Sequence, residues 1–485
     1  MDKDASIFKG LLVVFFLFVV ILSFIQFSVK DIIGFDGYLH IKAADLIKEN
    51  GFFKEFPWTV NSILNTKYAD IQLLFRLALI PFTFFGLING AKIAAIVFGA
   101  SCFTVFYWYL KKNGITFPLI WTFIYLLASV ELMYRFLLPR AMPLSVLFLI
   151  LTFYFVEEKK LKSLFALSFL YVWLYSAFLF SFMVVLLSFV LDWAMHKKID
   201  HSLLVYSIGG IMAGLIINPY FPNNLTLLYL QLFKVNLLGN LFNVEWQPWS
   251  FGQLLFHNIV PFICFFAAIF FNAKNKKISK KNLLLFLISL IFLIFTIKSK
   301  RMQEYFVPFA VLFLAFSIND FIIKLNEKKA DYFKYLKYSF IFIIIVLAPI
   351  NYINLEKTID EGNFLYKYEK GALWLKNNAP KGSLVFINAY AFNYLFFYNS
   401  DVKYTHGIDL TYSYLYDADK FERYMDLLQG KDFDYNVIKT DYNPDYVFIG
   451  KIKPDKQIAE FILKFKKDFE LEYEDDFTAI FKVKK

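Results

Sequence analysis

Long apolar runs, repeated through most of the chain, limit what it can fold into. The first, Ile7 to Ser28, carries no charge apart from Lys9. A run of this length crosses the ~30 Å hydrocarbon core of a bilayer as a helix. It is too long for a removable signal peptide and lacks a small-residue cleavage site. Further runs cover Gly90–Leu110, Ile115–Leu132, Pro143–Phe155, Leu161–Ser176, Ala177–Ala194, Ser202–Ile217, Phe256–Phe271, Asn282–Ile297, Met302–Asn319 and Tyr338–Ile353. With 59% hydrophobic residues and a mean hydropathy of +0.52, the chain reads as a polytopic α-helical membrane protein.

One run, Ile71 to Ile88, is ambiguous, because it contains Arg76 and Pro81 and leads almost directly into the next. The positive-inside rule decides how to count it. If it is re-entrant or interfacial and the N-terminus is cytoplasmic, the links holding Lys111 and Lys112, Lys159 and Lys160, Lys197 and Lys198, and Lys274 to Lys281 are cytoplasmic. So is the cluster from Lys324 to Lys337. Counting it as a full span would put these clusters outside. The expectation is therefore about eleven spans plus one re-entrant helix within residues 1–355. Residues 356–485 have the composition of a soluble domain, on the extracytoplasmic side. Helices near Tyr368–Asn377, Asp417–Leu428 and Lys456–Lys466 alternate with strands at Leu384–Asn388, Tyr446–Gly450 and Thr478–Val483, as in a small α/β domain. The net charge of +11 does not imply nucleic acid, since the lysines are spread between spans. Cys102 and Cys264 lie inside apolar runs, which argues against a disulfide framework or a cysteine metal site.

Chemistry is expected at the outer face. Gly34-Phe35-Asp36-Gly37-Tyr38-Leu39-His40 follows the first span directly. A carboxylate at a membrane face is costly unless it has a task or a partner; capping the interfacial helix that starts there is the plainer task. Arg135 and Arg140 lie between two spans, and Lys298, Lys300 and Arg301 precede Glu304 at the start of another. These cations oppose the inside bias, so a lipid phosphate or pyrophosphate is their natural partner, bound bidentately by arginine; simple headgroup binding or snorkelling is the alternative. Trp246 and Trp249 beside Glu245 suit either sugar stacking or the aromatic belt. His40, four residues after Asp36, shares its helix face, but no third metal ligand is fixed by spacing.

Phe35-Asp36-Gly37-Tyr38-Leu39-His40-Ile41-Lys42 resembles the first-loop motif of the GT-C superfamily of membrane glycosyltransferases. Its shape is similar to the FDxYYHxR-like opening of oligosaccharyltransferase catalytic subunits. Asn50-Gly51-Phe52-Phe53 with Phe56-Pro57-Trp58, then Tyr68-Ala69-Asp70, then Lys300-Arg301-Met302-Gln303-Glu304-Tyr305 extend the resemblance over the membrane region. It implies a sugar donor linked to polyprenyl or dolichyl phosphate, a lipid bilayer around it, and an acceptor glycan, lipid or protein outside the cytoplasm. Asp36 would be the catalytic carboxylate, a general base. Arg301, Glu304, Arg140, Arg135, Tyr38, His40, Asp70 and Trp246 would bind substrate. Oligosaccharyltransferases carry a second acidic motif that helps hold a divalent metal. Here the corresponding loop, Tyr134 to Arg140, has no carboxylate, the nearest being Glu131, and a WWD-type acceptor motif is missing. These departures favour a metal-independent monosaccharide transferase with no certain cofactor, a divalent metal being the disfavoured alternative. A non-catalytic scaffold or a glycan flippase subunit is the competing class.

Overall fold

The computed structural model describes residues 2–197, 200–235, 244–274, 278–328, 330–407, 409–429, 431, 436–452 and 468–484. The expected helix Lys456–Lys466, and Lys198, Lys276, Lys277 and Lys329, lie outside the described residues. Helices α1 (Asp2–Gln26), α2 (Asp36–Asn50), α3 (Leu73–Thr83), α4 (Leu87–Lys112), α5 (Pro118–Leu127) and α6 (Val130–Leu137) open the chain. They are followed by α7 (Met142–Glu157), α8 (Leu161–Leu174), α9 (Phe178–His196), α10 (Ser202–Ile216) and α11 (Asn223–Leu230). The membrane part ends with α12 (Phe251–Ala273), α13 (Lys280–Lys298), α14 (Gln303–Lys328) and α15 (Ala330–Gly362). Among the described residues seven helices are long and apolar enough to cross a bilayer, and α5 with α6 forms an eighth apolar segment bent by 90°. Four further apolar helices, α3, α7, α8 and α10, are shorter. The protein is a multi-pass membrane protein.

The ambiguous run stays too short to be a span, while one expected span is broken. Ile71–Ile88 resolves into α3, whose 11 residues reach only ~17 Å at 1.5 Å per residue. That cannot span a hydrocarbon core, so α3 packs beside α2 and α4. The run Ile115–Leu132 breaks at Ala128-Ser129, where Ser129 is extended. Arg135 therefore sits on a helix, α6, rather than in a loop between two spans. Helix α15 also runs through position 355 without interruption to Gly362.

Ionic contacts knit the two ends of the bundle. At one end Lys280 pairs with Asp192 (2.6 Å) and Lys281 with Glu157 (3.1 Å), near Lys111 and Lys112 at the end of α4. The opposite end carries α2, α3, α6 and the start of α14. Helix α14 is the axis of the bundle: Tyr305 to Ala315 are all buried. Whatever its first turn presents is thereby held rigidly.

The C-terminal unit contains α16 (Glu369–Asn378), α17 (Phe392–Tyr398), α18 (Leu410–Tyr414) and α19 (Ala418–Gln429). They surround strands β1 (Leu384–Phe386), β2 (Lys403–Tyr404), β3 (Tyr446–Gly450), β4 (Phe469–Glu474) and β5 (Thr478–Val483). The sheet order is β2-β1-β3-β5-β4. Strand β1 is parallel to β2 and β3, while β5 is antiparallel to β3 and β4. Residues after α2 close the β2 edge. Thr59 bridges Tyr404; the Tyr404 N–H donates to Trp58 O (2.8 Å), and the Val60 N–H donates to Tyr404 O (3.0 Å). The two regions share one apolar core, in which Tyr38 meets Tyr394 (4.9 Å between rings) and Trp58 meets Phe396 (5.1 Å). Covering a sheet edge satisfies backbone groups that would otherwise pair with another chain.

Candidate active site

Asp36 is the first residue of α2, and no side-chain cap closes the turn before it. Its carboxylate is committed elsewhere. Oδ2 lies 2.7 Å from Arg140 Nη2, and Oδ1 accepts from Asn393 Nδ2 at 3.2 Å. The flanking glycines permit this approach. A Cβ on Gly37 would lie 2.7 Å from Ile32 and 2.8 Å from Pro139, and Gly34 has φ of +79° with Leu138 2.5 Å from where its Cβ would be. Only a bare backbone lets the Leu138-Pro139-Arg140 segment close onto the helix start.

Arg140 joins Asp36 to a second carboxylate, since its Nη1 donates to Glu245 Oε1 at 2.8 Å. Glu245 Oε2 is 3.3 Å from Arg135 Nη2 and 3.8 Å from Arg301 Nη1. Burial works against the charge on Glu245, but the guanidiniums of Arg135, Arg140 and Arg301 outweigh it and hold its carboxyl well below the usual range. Arg135 also donates from Nε to Glu304 and lies 3.6 Å from Glu131. Arg301 donates to the Tyr175 hydroxyl, and its guanidinium stacks over Trp246 at 5.3 Å. The segment bearing Glu245 is pinned to the start of α14 by Ser299 Oγ donating to Glu245 O (3.2 Å) and the Lys300 N–H donating to Gln247 O (3.1 Å). Three guanidiniums thus face four carboxylates, on side chains from widely separated parts of the chain.

Of the residues picked out by sequence, Asp36, Arg135, Arg140, Trp246, Arg301 and Glu304 lie in this constellation. Asp70 does not: it forms a separate buried pair with Arg76 (3.0 Å), which also holds the Tyr68 hydroxyl. Burial raises the Asp70 carboxyl, opposed by Arg76 and the Gln72 N–H. His40 stands between the two clusters, buried edge-on against Phe75. Burial lowers its pKa, and Arg76 and Arg140 push the same way. Tyr38 is buried beneath the C-terminal unit. Trp246 offers one face to Arg301, and Trp249 stacks on His257 (4.5 Å). Sequence reasoning named Glu245 and Glu131 without giving either a place in the site, and passed over Asn393 of α17.

The donor set does not fit a divalent metal. Among the described residues no group of three or more His, Cys, Asp or Glu side chains is arranged to hold a metal ion, and the cation beside Asp36 is a guanidinium.

No family model matches this sequence, and no curated protein does. Solved structures do share its fold. The oligosaccharyltransferase AglB from Archaeoglobus fulgidus, in complex with an inhibitory peptide and a dolichol-phosphate, superposes with a TM-score of 0.67 at 12% identity, covering 97% of this chain and 74% of that one. The Archaeoglobus fulgidus oligosaccharyltransferase in complex with Zn and sulfate gives 0.62 at 11% identity, covering 96% and 73%. ArnT from Cupriavidus metallidurans, bound to undecaprenyl phosphate, gives 0.58 at 12% identity, covering 98% of each chain. The chain shares the fold of the archaeal oligosaccharyltransferase AglB and of ArnT.

Proposed function

We propose that this protein is an integral membrane glycosyltransferase that moves a sugar from a polyprenyl- or dolichyl-phosphate donor to an acceptor hydroxyl outside the cytoplasm. One observation carries the reading: a single guanidinium, Arg140, touches both the exposed carboxylate Asp36 and the cluster of arginines around Glu245. The lysine-bearing end of the bundle faces the cytoplasm. The arginine end and the C-terminal unit lie outside, where a lipid-linked donor presents its headgroup.

In this reading the donor phosphate is held by Arg301 and Arg140, with Arg135 behind them. The bond from the sugar C1 to the phosphate oxygen breaks, and the acceptor oxygen bonds to C1. Fixed guanidiniums stabilise the charge growing on the leaving phosphate. Asp36 takes the acceptor proton as general base. Because Arg140 pairs with Asp36 in the resting site, a phosphate drawing Arg140 toward itself frees the Asp36 carboxylate to meet the acceptor hydroxyl. Glu304 fixes Arg135 from the rigid start of α14, and His40 and Tyr38 position the helix that bears Asp36. The fold neighbours bound to dolichol-phosphate and undecaprenyl phosphate support the donor class. The acceptor class, whether glycan, lipid or protein, is open to assay.

The test is transfer from a defined polyprenyl-phosphate sugar by purified protein in lipid nanodiscs. Asp36→Asn should fold normally and lose turnover. Wild-type turnover by that variant would overturn the catalytic assignment.

A further inference from the structure

We propose that Glu245 is a resident anion: its carboxylate occupies the phosphate position among Arg135, Arg140 and Arg301, and the donor must displace it to bind. This rests on the lipid-phosphate reading above and adds to it what sets donor affinity and product release.

Charge balance is the first support. The site already holds four carboxylates against three guanidiniums. A phosphate added to that set would face uncompensated repulsion in a partly desolvated place, where like charges are costly. One carboxylate has to leave. Glu304 cannot, because it is 2% exposed and fixed in the first turn of the buried axial helix. Asp36 makes one guanidinium contact, at the rim. Glu245 contacts all three arginines and is 27% exposed, so it has both the right position and a way out.

The anchoring supports the same assignment. Backbone contacts from Ser299 and Lys300 tie the segment at Glu245 and Gln247, not the carboxylate. A rotation of the side chain alone can exchange a carboxylate for a phosphate oxygen while the wall of the site stays in place.

The consequence concerns release. A donor phosphodiester carries one negative charge. The lipid phosphate left after transfer is a monoester, carrying about −1.5 to −2 near neutral pH. An arginine cluster alone would hold the product more tightly than the substrate. A tethered carboxylate that competes for the same guanidiniums counters that preference at high effective concentration.

The experiment measures the Kd of undecaprenyl phosphate for wild type, Glu245→Gln and Arg301→Ala in phosphatidylcholine nanodiscs, alongside donor KM and kcat. A ligand that must first open its site binds more weakly by the fraction of open protein. With the open form ~1–10% populated, Glu245→Gln should bind undecaprenyl phosphate about 10- to 100-fold more tightly. It should also show a lower donor KM, and a lower kcat with stronger inhibition by undecaprenyl phosphate. Equal or weaker binding by Glu245→Gln, with weaker binding by Arg301→Ala, overturns the role of Glu245 and leaves the lipid-phosphate reading standing. Absence of binding by both wild type and Glu245→Gln overturns both. If Glu245→Gln does not accumulate, Glu245→Asp decides in the same assay. Its carboxylate is withdrawn by one methylene, so tighter binding than wild type supports the proposal and unchanged or weaker binding ends it.

Discussion

Two arginine–carboxylate clusters lie at the same end of this protein, and they are built differently. Asp70 and Arg76 form a closed pair: their side chains are 1% and 7% exposed, Arg76 also donates to the Tyr68 hydroxyl, the Gln72 N–H donates to Asp70, and Arg76 Nε is buried without a hydrogen-bond partner. The other cluster sets Arg135, Arg140 and Arg301 against an excess of carboxylates, with Asp36 40% exposed at its mouth. A sealed pair holds loop and helix together and leaves no opening through which a ligand could reach it. An open, mismatched one keeps charges that can change partners, as phosphoryl recognition and proton transfer require. The contrast teaches that a charged residue's partners, more than its burial, separate a brace from a site.

The largest effect should separate the two clusters by rate. Asp36→Asn should lower kcat by ~10²–10⁴, the usual worth of a general base, with little change in melting temperature. Asp70→Asn should do the opposite. Leaving a buried guanidinium unpaired costs about 3–5 kcal/mol, so thermal or denaturant unfolding should show a large loss while the folded fraction keeps its turnover. A loss of turnover in folded Asp70→Asn protein would erase the distinction.

Within the open cluster, Arg301→Ala should cost about 1.5–3 kcal/mol of transition-state binding, as for hydrogen bonds to charged groups. That is roughly 10- to 150-fold in kcat/KM, with donor KM raised. Arg301→Lys should recover only part of it, because a point charge does not reproduce the guanidinium fork. Steady-state kinetics with a defined donor tests both.

The smallest effect belongs to His40, which borders both clusters. Its pKa is depressed in the folded protein by burial and by Arg76 and Arg140. Below about pH 6.5 the unfolded chain binds a proton that the folded one refuses. Stability should therefore fall as pH drops below 6.5, by at most about 1.4 kcal/mol per unit from this group, until the depressed pKa is reached. His40→Gln should flatten that part of the pH–stability curve; an unchanged slope would remove His40 from the account.

Much of this was legible in sequence where a single segment carries the signal. The apolar runs marked the membrane part, and Tyr446–Gly450 and Thr478–Val483 emerged as strands with the expected ends. The break at Ala128-Ser129 was not legible, since apolar composition continues on both sides and a 90° bend needs only one extended residue. Glu245 escaped because its meaning lies in partners 105 and 110 residues away. Local spacing carries no trace of such a contact. Strand β2, at two residues, is too short to leave a pattern. It is held by β1 on one side and by Trp58 to Val60 on the other.

The hydrogen bond from Asn393 to Asp36 spans 357 residues of sequence. During synthesis the first loop is complete long before its partner emerges. At ~5–20 residues per second, the interval is roughly 20–70 s. Throughout that time the nascent chain has Asp36 without Asn393, and without the sheet edge that covers Trp58 to Val60. Completion of the Asp36 contacts is therefore among the last events in the making of this protein, and a chain cut short before α17 would enter the membrane with its helices in place and the loop that bears Asp36 unfinished.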